Sequence, residues 1–341
     1  MRGSSPTGLG GGPPTRRCAR GDREVERPIR GKTPTGTESE GSHDMSDQHD
    51  HATHERHPKP EDQHGQSQRH PGSGEDMDPK PDHGESTYRG SGKLDGRRAV
   101  ITGGDSGIGR AVALAFAAEG ADVLLSYLPE EQEDAERTAE LVRERGRKAV
   151  LVAGDITDER HCGEIVDRAL GELGGIDVLV NNAAHQMAQE DGLLGISSEQ
   201  FDRVLKTNLY AMFWLCKAAV PHLGPGSTII NTSSIQATDP SPQLLDYATT
   251  KAGIVNFTKG LAIDLAERGI RVNTVAPGPV WTPLIPATMP EEAVANFGEQ
   301  VPLGRAAQPV ELAPAYVFLA SAESSYITGA VIPVTGGKPF N

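Results

Sequence analysis

The chain has 341 residues, of which 23% are charged, and a formal net charge of −14 at pH 7. This acidic balance argues against a surface for nucleic acid or for an anionic membrane. Three cysteines are present, Cys18, Cys162 and Cys216, and they are too widely spaced for a disulfide framework or a zinc site. Their spacing favours a reducing cytoplasmic compartment. The sequence has no apolar run of about 18 residues, so no membrane span is predicted.

Residues 1–93 differ in composition from the rest of the chain. Only Leu9, Val25 and Ile29 among them belong to the Leu/Ile/Val/Phe/Trp set, and glycine and proline supply 25 of these 93 residues. Because so little apolar surface cannot offset the entropy of ordering the chain, the composition predicts a disordered polar tail over residues 1–93. A single folded domain is predicted over residues 94–341.

The predicted tail is also rich in histidine. Eight of the 11 histidines lie between His43 and His83, including the run HDHATHERH. Such a run is compatible with weak binding of a transition metal, but a hydrophilic, solvated spacer is the favoured interpretation because no cysteine lies among the histidines. No metal site is therefore predicted.

From Arg97 onward, short apolar runs alternate with helical stretches. The predicted strands are, in chain order, RAVITGG, ADVLLSY, KAVLVAGD, IDVLVNNAA, STIINTSS, IRVNTVAPG and AVIPVTGG. The helices between them are GIGRAVALAFAAEG, EEQEDAERTAELVRERG, DERHCGEIVDRALGELG and stretches near residues 198–223, 244–269 and 309–321. This alternation predicts an α/β fold with one doubly wound, Rossmann-type parallel sheet of about seven strands, flanked by helices.

A glycine-rich turn, TGGDSGIG at residues 102–109, joins the first strand to the first helix. Gly103, Gly107 and Gly109 would let the backbone turn tightly and approach a pyrophosphate at the start of the helix, where free N–H groups favour anions. The alternative is a tight turn without a ligand. Because the glycines follow a strand and open a helix, the dinucleotide interpretation is favoured.

Polar residues follow several of the other predicted strands. They are Asp155, Asn181 and Asn182, Ser233 and Ser234, and the pair Pro277-Gly278. Ligands of open parallel sheets bind at the carboxyl ends of the strands, so these residues are expected to line a site. Asp155 either caps the next helix or accepts a hydrogen bond from an adenine amino group, and the sequence leaves both roles open.

Tyr247 and Lys251 are separated by one helical turn in DYATTKAG, so their side chains share one face. A tyrosine can protonate the oxygen of a carbonyl group that accepts a hydride. At ~4 Å and an effective dielectric of ~20, an ammonium group interacts with the phenolate by about 4 kcal/mol, which predicts a fall of one to three units in the tyrosine pKa. The alternative is a packed tyrosine beside a solvated lysine.

The motifs TGGDSGIG, NNAA, YATTK and PGPV, together with Ser234, have the order and spacing of the short-chain dehydrogenase/reductase family, which the chain resembles over about residues 94–337. Within it, the sequence is most similar to a bacterial branch of stress-associated, NADP-dependent aldehyde reductases with a polar N-terminal extension. The resemblance implies that Ser234 hydrogen-bonds the substrate oxygen and that Asn208 supports a proton-relay water near the lysine. A purely structural role for Asn208 is the alternative.

The resemblance also implies the full set of site residues. The catalytic set is Asn208, Ser234, Tyr247 and Lys251. The cofactor-binding set is Thr102, Gly103, Asp105, Ser106, Gly107, Ile108, Gly109, Tyr127, Asp155, Ile156, Asn182, Ala183, Tyr247, Lys251, Pro277, Gly278, Val280 and Thr282.

The cofactor prediction depends on the end of the second strand. NAD-specific proteins commonly carry an acid there, whereas this chain has Tyr127. No basic residue stands beside Tyr127, and Ser106 occupies the place where many NADP enzymes have one. Use of both NADP and NAD is predicted, with NADP modestly favoured, although Glu130 and Glu131 are close enough to disfavour a phosphate.

The expected partners are a small aldehyde, ketone or alcohol, covered by a lid over residues 281–301, and further copies of the chain. The resemblance implies a homotetramer, and the helices that carry LYAMFWLCKAAV and GIVNFTKGLAIDL are apolar on more than one face. Two other functions are the alternatives: a catalytically retired dinucleotide-binding scaffold, and a metal or protein binder that acts through the tail. The complete catalytic set argues against a retired site.

Overall fold

One parallel sheet forms the centre of the protein. The computed structural model describes residues 57–58 and 60–341. The strands are β1 (Arg98–Thr102), β2 (Asp122–Tyr127), β3 (Ala149–Ala153), β4 (Val178–Asn181), β5 (Thr228–Thr232), β6 (Arg271–Pro277) and β7 (Val331–Val334). Their order across the sheet is β3-β2-β1-β4-β5-β6-β7, and every neighbouring pair is parallel. The predicted fold class, with about seven parallel strands, is confirmed.

Helices pack on both faces of this sheet. They are α1 (Gly107–Ala118), α2 (Gln132–Glu144), α3 (Glu159–Glu172), α4 (Ser198–Leu205), α5 (Ala211–Ala219), α6 (Leu245–Leu265), α7 (Leu284–Thr288), α8 (Glu291–Ala295) and α9 (Pro309–Ala320). The long helix predicted near residues 198–223 is present, but a π-helical turn at Lys206–Tyr210 separates α4 from α5. No helix among the described residues is both long and apolar enough to cross a membrane.

Successive strand residues point to opposite faces, so the sheet supports two separate apolar layers. Ile101 of β1 and Leu125 of β2 pack with α1 and α9, whereas Val100 and Leu124 pack with α3 and α5. Strands buried on both faces explain why the predicted strand segments are almost continuously apolar.

The order of the strands reverses direction between β1 and β4. The chain winds outward from β1 to β2 and β3, and then returns to pair β4 with the other side of β1. Such a switch point leaves a crevice at the carboxyl ends of the strands, because the loops that follow β1 and β4 leave the sheet in opposite directions. The glycine turn and the Asn181-Asn182 pair both lie at this place.

The segment that precedes β1, residues 60–93, packs on the domain, and we call it the strap. Met77 is 1% exposed and lies in an apolar cluster with the completely buried Trp281 and with Ile285. Trp281 Nε1 donates a hydrogen bond of 2.8 Å to the carbonyl oxygen of Pro79. The prediction of disorder is therefore wrong for residues 60–93, whereas residues 1–56, with most of the HDHATHERH run and Cys18, lie outside the described residues.

The end of the strap is held by the carboxylate of Glu119, which follows α1. Glu119 accepts hydrogen bonds from Tyr88 Oη at 2.7 Å and from the backbone N–H groups of Ser91 and Lys93 at 2.8 and 2.9 Å. Polar contacts of this kind can order a segment that contains few apolar residues. The prediction of disorder rested on a count of Leu, Ile, Val, Phe and Trp, and that count includes neither these polar contacts nor Met77.

Candidate active site

A cavity of about 980 Å³ lies at the carboxyl edge of the sheet. Residues that follow six of the strands line it, namely Gly103, Leu128, Gly154, Asn182, Ser233 and Gly278. Its volume is near the upper end of the range of about 300–1,000 Å³ for ligand pockets. Of the residues predicted to form the site, Thr102, Gly109, Asn181 and Asn208 do not line this cavity.

The glycine turn forms the part of the wall between β1 and α1. Gly103 and Gly107 have φ values of +60° and +49°, which side chains rarely adopt. A Cβ atom at Gly109 would collide with the carbonyl oxygen of Gly103, so glycine is what allows α1 to start so close to β1. Ser106 occupies the N-cap of α1 without a capping bond from its side chain. A turn of this shape, ending in a helix start that no side chain caps, fits a dinucleotide pyrophosphate.

Thr102 and Asn182 connect the glycine turn to the end of β4. The backbone N–H groups of Asn182 and Ala183 donate to Thr102 Oγ1 at 3.0 and 3.1 Å. In return, Asn182 Nδ2 donates to the carbonyl oxygens of Thr102 and Gly103 at 3.1 and 3.2 Å. These bonds fix the two loops at the switch point relative to each other, so both residues shape the cavity.

Three polar residues, Ser126, Tyr127 and Glu131, line the cavity at and beyond the end of β2. Tyr127 Oη donates to Gln132 Oε1 at 2.8 Å, and Ser126 Oγ is buried without a hydrogen-bond partner among the described residues. Glu131 accepts a bond of 2.9 Å from the backbone of Leu128. Burial, aided by the nearby Asp105 carboxyl, raises the pKa of Glu131 to about 8.

Asp105 lies next to this group and is 1% exposed. Burial raises its pKa to about 6, and its Oδ2 atom has no hydrogen-bond partner in the described part of the chain. Because burial favours the protonated form of Glu131, this wall carries less negative charge than the sequence suggests. The unpaired hydroxyl of Ser126 and the hydroxyl of Tyr127 fit a ribose or its phosphate.

Asp155 does not cap α3. That role belongs to Asp158, whose carboxylate accepts from the backbone of Arg160 at 2.9 Å. Asp155 instead accepts from the backbone of Thr157 at 2.9 Å and forms an ion pair of 2.7 Å with Arg203 of α4. Despite partial burial, these bonds hold the pKa of Asp155 below its usual value. Ile156 lines the cavity beside it.

Tyr247 and Lys251 share one face of α6, as their spacing predicts. Lys251 Nζ lies 5.1 Å from the centre of the Tyr247 ring and donates to the carbonyl oxygen of Thr232 at 3.0 Å. Lys251 is 1% exposed, which excludes the alternative of a solvated lysine. Both side chains line the cavity, together with Ser234.

The predicted fall in the Tyr247 pKa is wrong for this structure. Burial raises the pKa of Tyr247 to about 12, and its hydrogen bond with Ser234 only partly opposes that rise. Burial also lowers the pKa of Lys251 to about 7. The lysine therefore carries only part of a charge at neutral pH, and the loss of solvation outweighs its effect on the phenol.

Asn208 lies in the π-helical turn and is 3% exposed. Its side-chain oxygen accepts from the backbone N–H of His185 at 2.8 Å, and its Nδ2 donates to the His185 carbonyl and to Thr250 Oγ1, both at 3.0 Å. These bonds tie the loop after β4 to α6 at Thr250, which lies between Tyr247 and Lys251 in the sequence. The structural role considered for Asn208 is thus present, and a π-helical turn often marks a functional position.

The predicted lid over residues 281–301 contains α7 and α8, and residues from Thr282 to Val301 line the cavity. Trp281 does not line it, because that residue is buried beneath the strap. His185, Gln186 and Gln236, which follow β4 and β5, also line it. Sequence reasoning missed His70 and Pro71 of the strap, which also form part of the wall.

No group of three or more histidine, cysteine, aspartate or glutamate side chains suited to a metal ion exists within residues 57–58 and 60–341. The cysteines in this part, Cys162 and Cys216, are free and buried.

Several known proteins are similar to this chain in sequence or in structure. The chain matches a family described as Enoyl-(Acyl carrier protein) reductase over residues 103–338. General stress protein 39 of Bacillus subtilis is 52% identical over 270 residues, covering 79% of this chain and 94% of that protein. The NADPH-dependent aldehyde reductase 1, chloroplastic, of Arabidopsis thaliana is 46% identical, covering 80% and 96% respectively. A short chain dehydrogenase from Burkholderia cenocepacia, solved in complex with NADP, is 34% identical with a TM-score of 0.68, covering 72% of this chain and 98% of that one.

Proposed function

Because the chain belongs to the short-chain dehydrogenase/reductase family, whose members are NAD(P)-dependent oxidoreductases, we propose that it reduces a small aldehyde or ketone to the alcohol. The observation that carries this proposal is the grouping of Ser234, Tyr247 and Lys251 in one cavity with the glycine turn. A dinucleotide-binding scaffold without catalysis would not need these three side chains together.

Tyr247 is the proton donor in this proposal. With a pKa of about 12, its hydroxyl keeps its proton at neutral pH and can transfer it from Oη to the oxygen that becomes the alcohol. Ser234, hydrogen-bonded to Tyr247, orients that oxygen. Lys251 is buried beside the ring of Tyr247 and restricts the positions that this side chain can adopt. A phenol that holds its proton at neutral pH is the form that reduction of a carbonyl group requires, which supports the proposed reaction.

The bound nicotinamide would supply the hydride. The residues that would hold the dinucleotide are those of the cavity wall. The turn at residues 103–109 would face the pyrophosphate, Ser126 and Tyr127 the adenosine ribose, and Asp155 with Ile156 the adenine. Asn182, Ala183 and the segment from Pro277 to Thr282 would face the nicotinamide half, as the ends of β4 and β6 border the catalytic pair.

The function is tested by oxidation of NADPH and NADH with a panel of aldehydes, sugars and steroids. We expect turnover with both cofactors and a modestly higher kcat/KM for NADPH, since no acid at the end of β2 repels the 2′-phosphate and burial raises the pKa of Glu131. Tyr127→Asp is expected to reverse that preference by placing a carboxylate there, whereas Tyr127→Asn, which has the same size without the charge, should not reverse it. A preference of the wild type for NADH beyond about tenfold, or 1.4 kcal/mol, would contradict the assignment.

We expect the protein to form a homotetramer. Tyr210 and Phe213, at the junction of the π-helical turn with α5, are 47% and 45% exposed, and Ile263 of α6 is 81% exposed. Large apolar side chains on neighbouring helices are typical of a surface that another subunit covers. Light scattering should give four times the chain mass of 36.2 kDa. Phe213→Glu should lower that mass and the exposed change Glu144→Lys should not, while a monomeric wild type at micromolar concentration would refute the assembly.

The reducing cytoplasm is the proposed compartment. The supporting observation is that Cys162 and Cys216 are free thiols inside the fold.

A further inference from the structure

The strap crosses the lid at residues 68–73 in a tight turn. The backbone N–H of Gln68 donates to the carbonyl oxygen of Pro286 at 2.9 Å, and Gln68 Oε1 accepts from the N–H of Ser73 at 2.7 Å. Gly72 has a φ of +87°, and a Cβ atom there would lie 2.8 Å from the carbonyl oxygen of Pro283. The turn is thus held closely against the start of α7, and its position is fixed.

The tip of this turn, His70-Pro71, lines the cavity. His70 Nε2 lies 3.1 Å from His185 Nδ1, and the two rings meet edge to face with their centres 4.8 Å apart. His185 is itself positioned by Asn208, which binds both its N–H and its carbonyl oxygen. A side chain of the strap is therefore in direct contact with the loop that follows β4.

The histidine pair has a fixed hydrogen-bonding capacity. Partial burial lowers the pKa of both imidazoles, that of His185 to about 4, so both are neutral at pH 7. At 3.1 Å one ring donates to the other, and the tautomers of the two rings decide which is the donor. The two remaining nitrogens, His70 Nδ1 and His185 Nε2, have no hydrogen-bond partner among the described residues, and between them they provide one donor and one acceptor.

We propose that His70 and His185 form a substrate-binding wall that recognises a hydroxyl group, so that the enzyme selects hydroxylated carbonyl compounds over unsubstituted ones of equal length. A hydroxyl group both donates and accepts, which matches the paired nitrogens. An alkyl group in the same place would leave those nitrogens without partners. This inference rests on the proposed reductase function, and it makes the strap part of the active site.

The test compares glyceraldehyde with propanal, which share a three-carbon skeleton and differ only in hydroxylation. In the full chain with NADPH, His70→Ala and His185→Ala should each lower kcat/KM for glyceraldehyde by about fivefold or more, mainly through KM. Propanal should change by less than about twofold. His64→Ala, an exposed histidine of the same strap, is the matched control and should change neither substrate. Equal losses for both aldehydes, or no loss for either, would overturn the proposal.

A second measurement does not depend on turnover. The imidazole NMR signals of His70 and His185, identified by their disappearance in the two variants, should shift on addition of glycerol and not of 1-propanol. Unshifted signals with glycerol would also overturn the proposal. If the wild type reduces no carbonyl compound but glycerol still shifts these signals, the reductase function fails and the hydroxyl-binding wall stands.

Discussion

Tyr247→Phe is expected to lower kcat for carbonyl reduction by at least about 100-fold, because it removes only the hydroxyl that supplies the proton. The ring of Tyr247 remains packed beside Lys251, so the fold and the binding of NADPH should persist. Steady-state NADPH oxidation measures the loss, and titration with NADPH followed by calorimetry measures the retained binding.

The matched control for this variant is Tyr316→Phe. Tyr316 is also fully buried, and its hydroxyl lies 2.7 Å from Thr232 Oγ1, but it does not line the cavity. If Tyr247→Phe and Tyr316→Phe had kcat values within about threefold of each other, Tyr247 would not be the acid.

Lys251→Ala should weaken both turnover and cofactor binding, since it empties the space beside the tyrosine.

A chain that begins at Ser86 is expected to melt about 5–10 °C below one that begins at His57. The shorter chain loses the contact of Met77 with Trp281, and buried large side chains contribute about 2–5 kcal/mol. It also leaves the Trp281 N–H without the Pro79 carbonyl. Part of this loss in the free energy of unfolding is offset, because the shorter chain no longer pays the entropy of ordering the strap. Each kcal/mol of loss that remains lowers Tm by about 2–4 °C in a domain of this size.

The chain that begins at His57 retains these strap contacts, so it isolates the contribution of residues 57–85. Within the full chain, Met77→Ala should lower the free energy of unfolding by about 2–5 kcal/mol, whereas Arg89→Ala, at an exposed position of the strap, should change it little. Melting temperatures that agree within about 1 °C for the two truncated chains would mean that docking of the strap adds no stability.

Features encoded locally were predictable from the sequence. The alternation of apolar strands with helices gave the sheet, and the glycine turn between β1 and α1 located its ligand-binding edge. The family resemblance is confirmed by the match over residues 103–338. A residue that directly follows a strand in the sequence lies at the carboxyl end of that strand. This explains why nearly all the predicted site residues line one cavity.

Features that depend on distant partners were not predictable. Pro79 and Trp281 are 202 positions apart, and composition alone does not reveal that they meet. Arg203, the partner of Asp155, is 48 positions from it. The Tyr247 pKa was predicted in the wrong direction because helical spacing reports the nearness of Lys251 but not how deeply both side chains are buried.

The contact between Trp281 and the strap gives the protein an intrinsic optical probe. The chain has two tryptophans, Trp214 and Trp281, and the latter is completely buried with its indole N–H bound to the strap. Lifting the strap from the lid would bring this indole into water and move its emission to longer wavelength. Trp214 packs among the helices on the other face of the sheet and provides a constant background. Stopped-flow fluorescence on the unlabelled protein would therefore report any separation of the strap from the lid during ligand exchange.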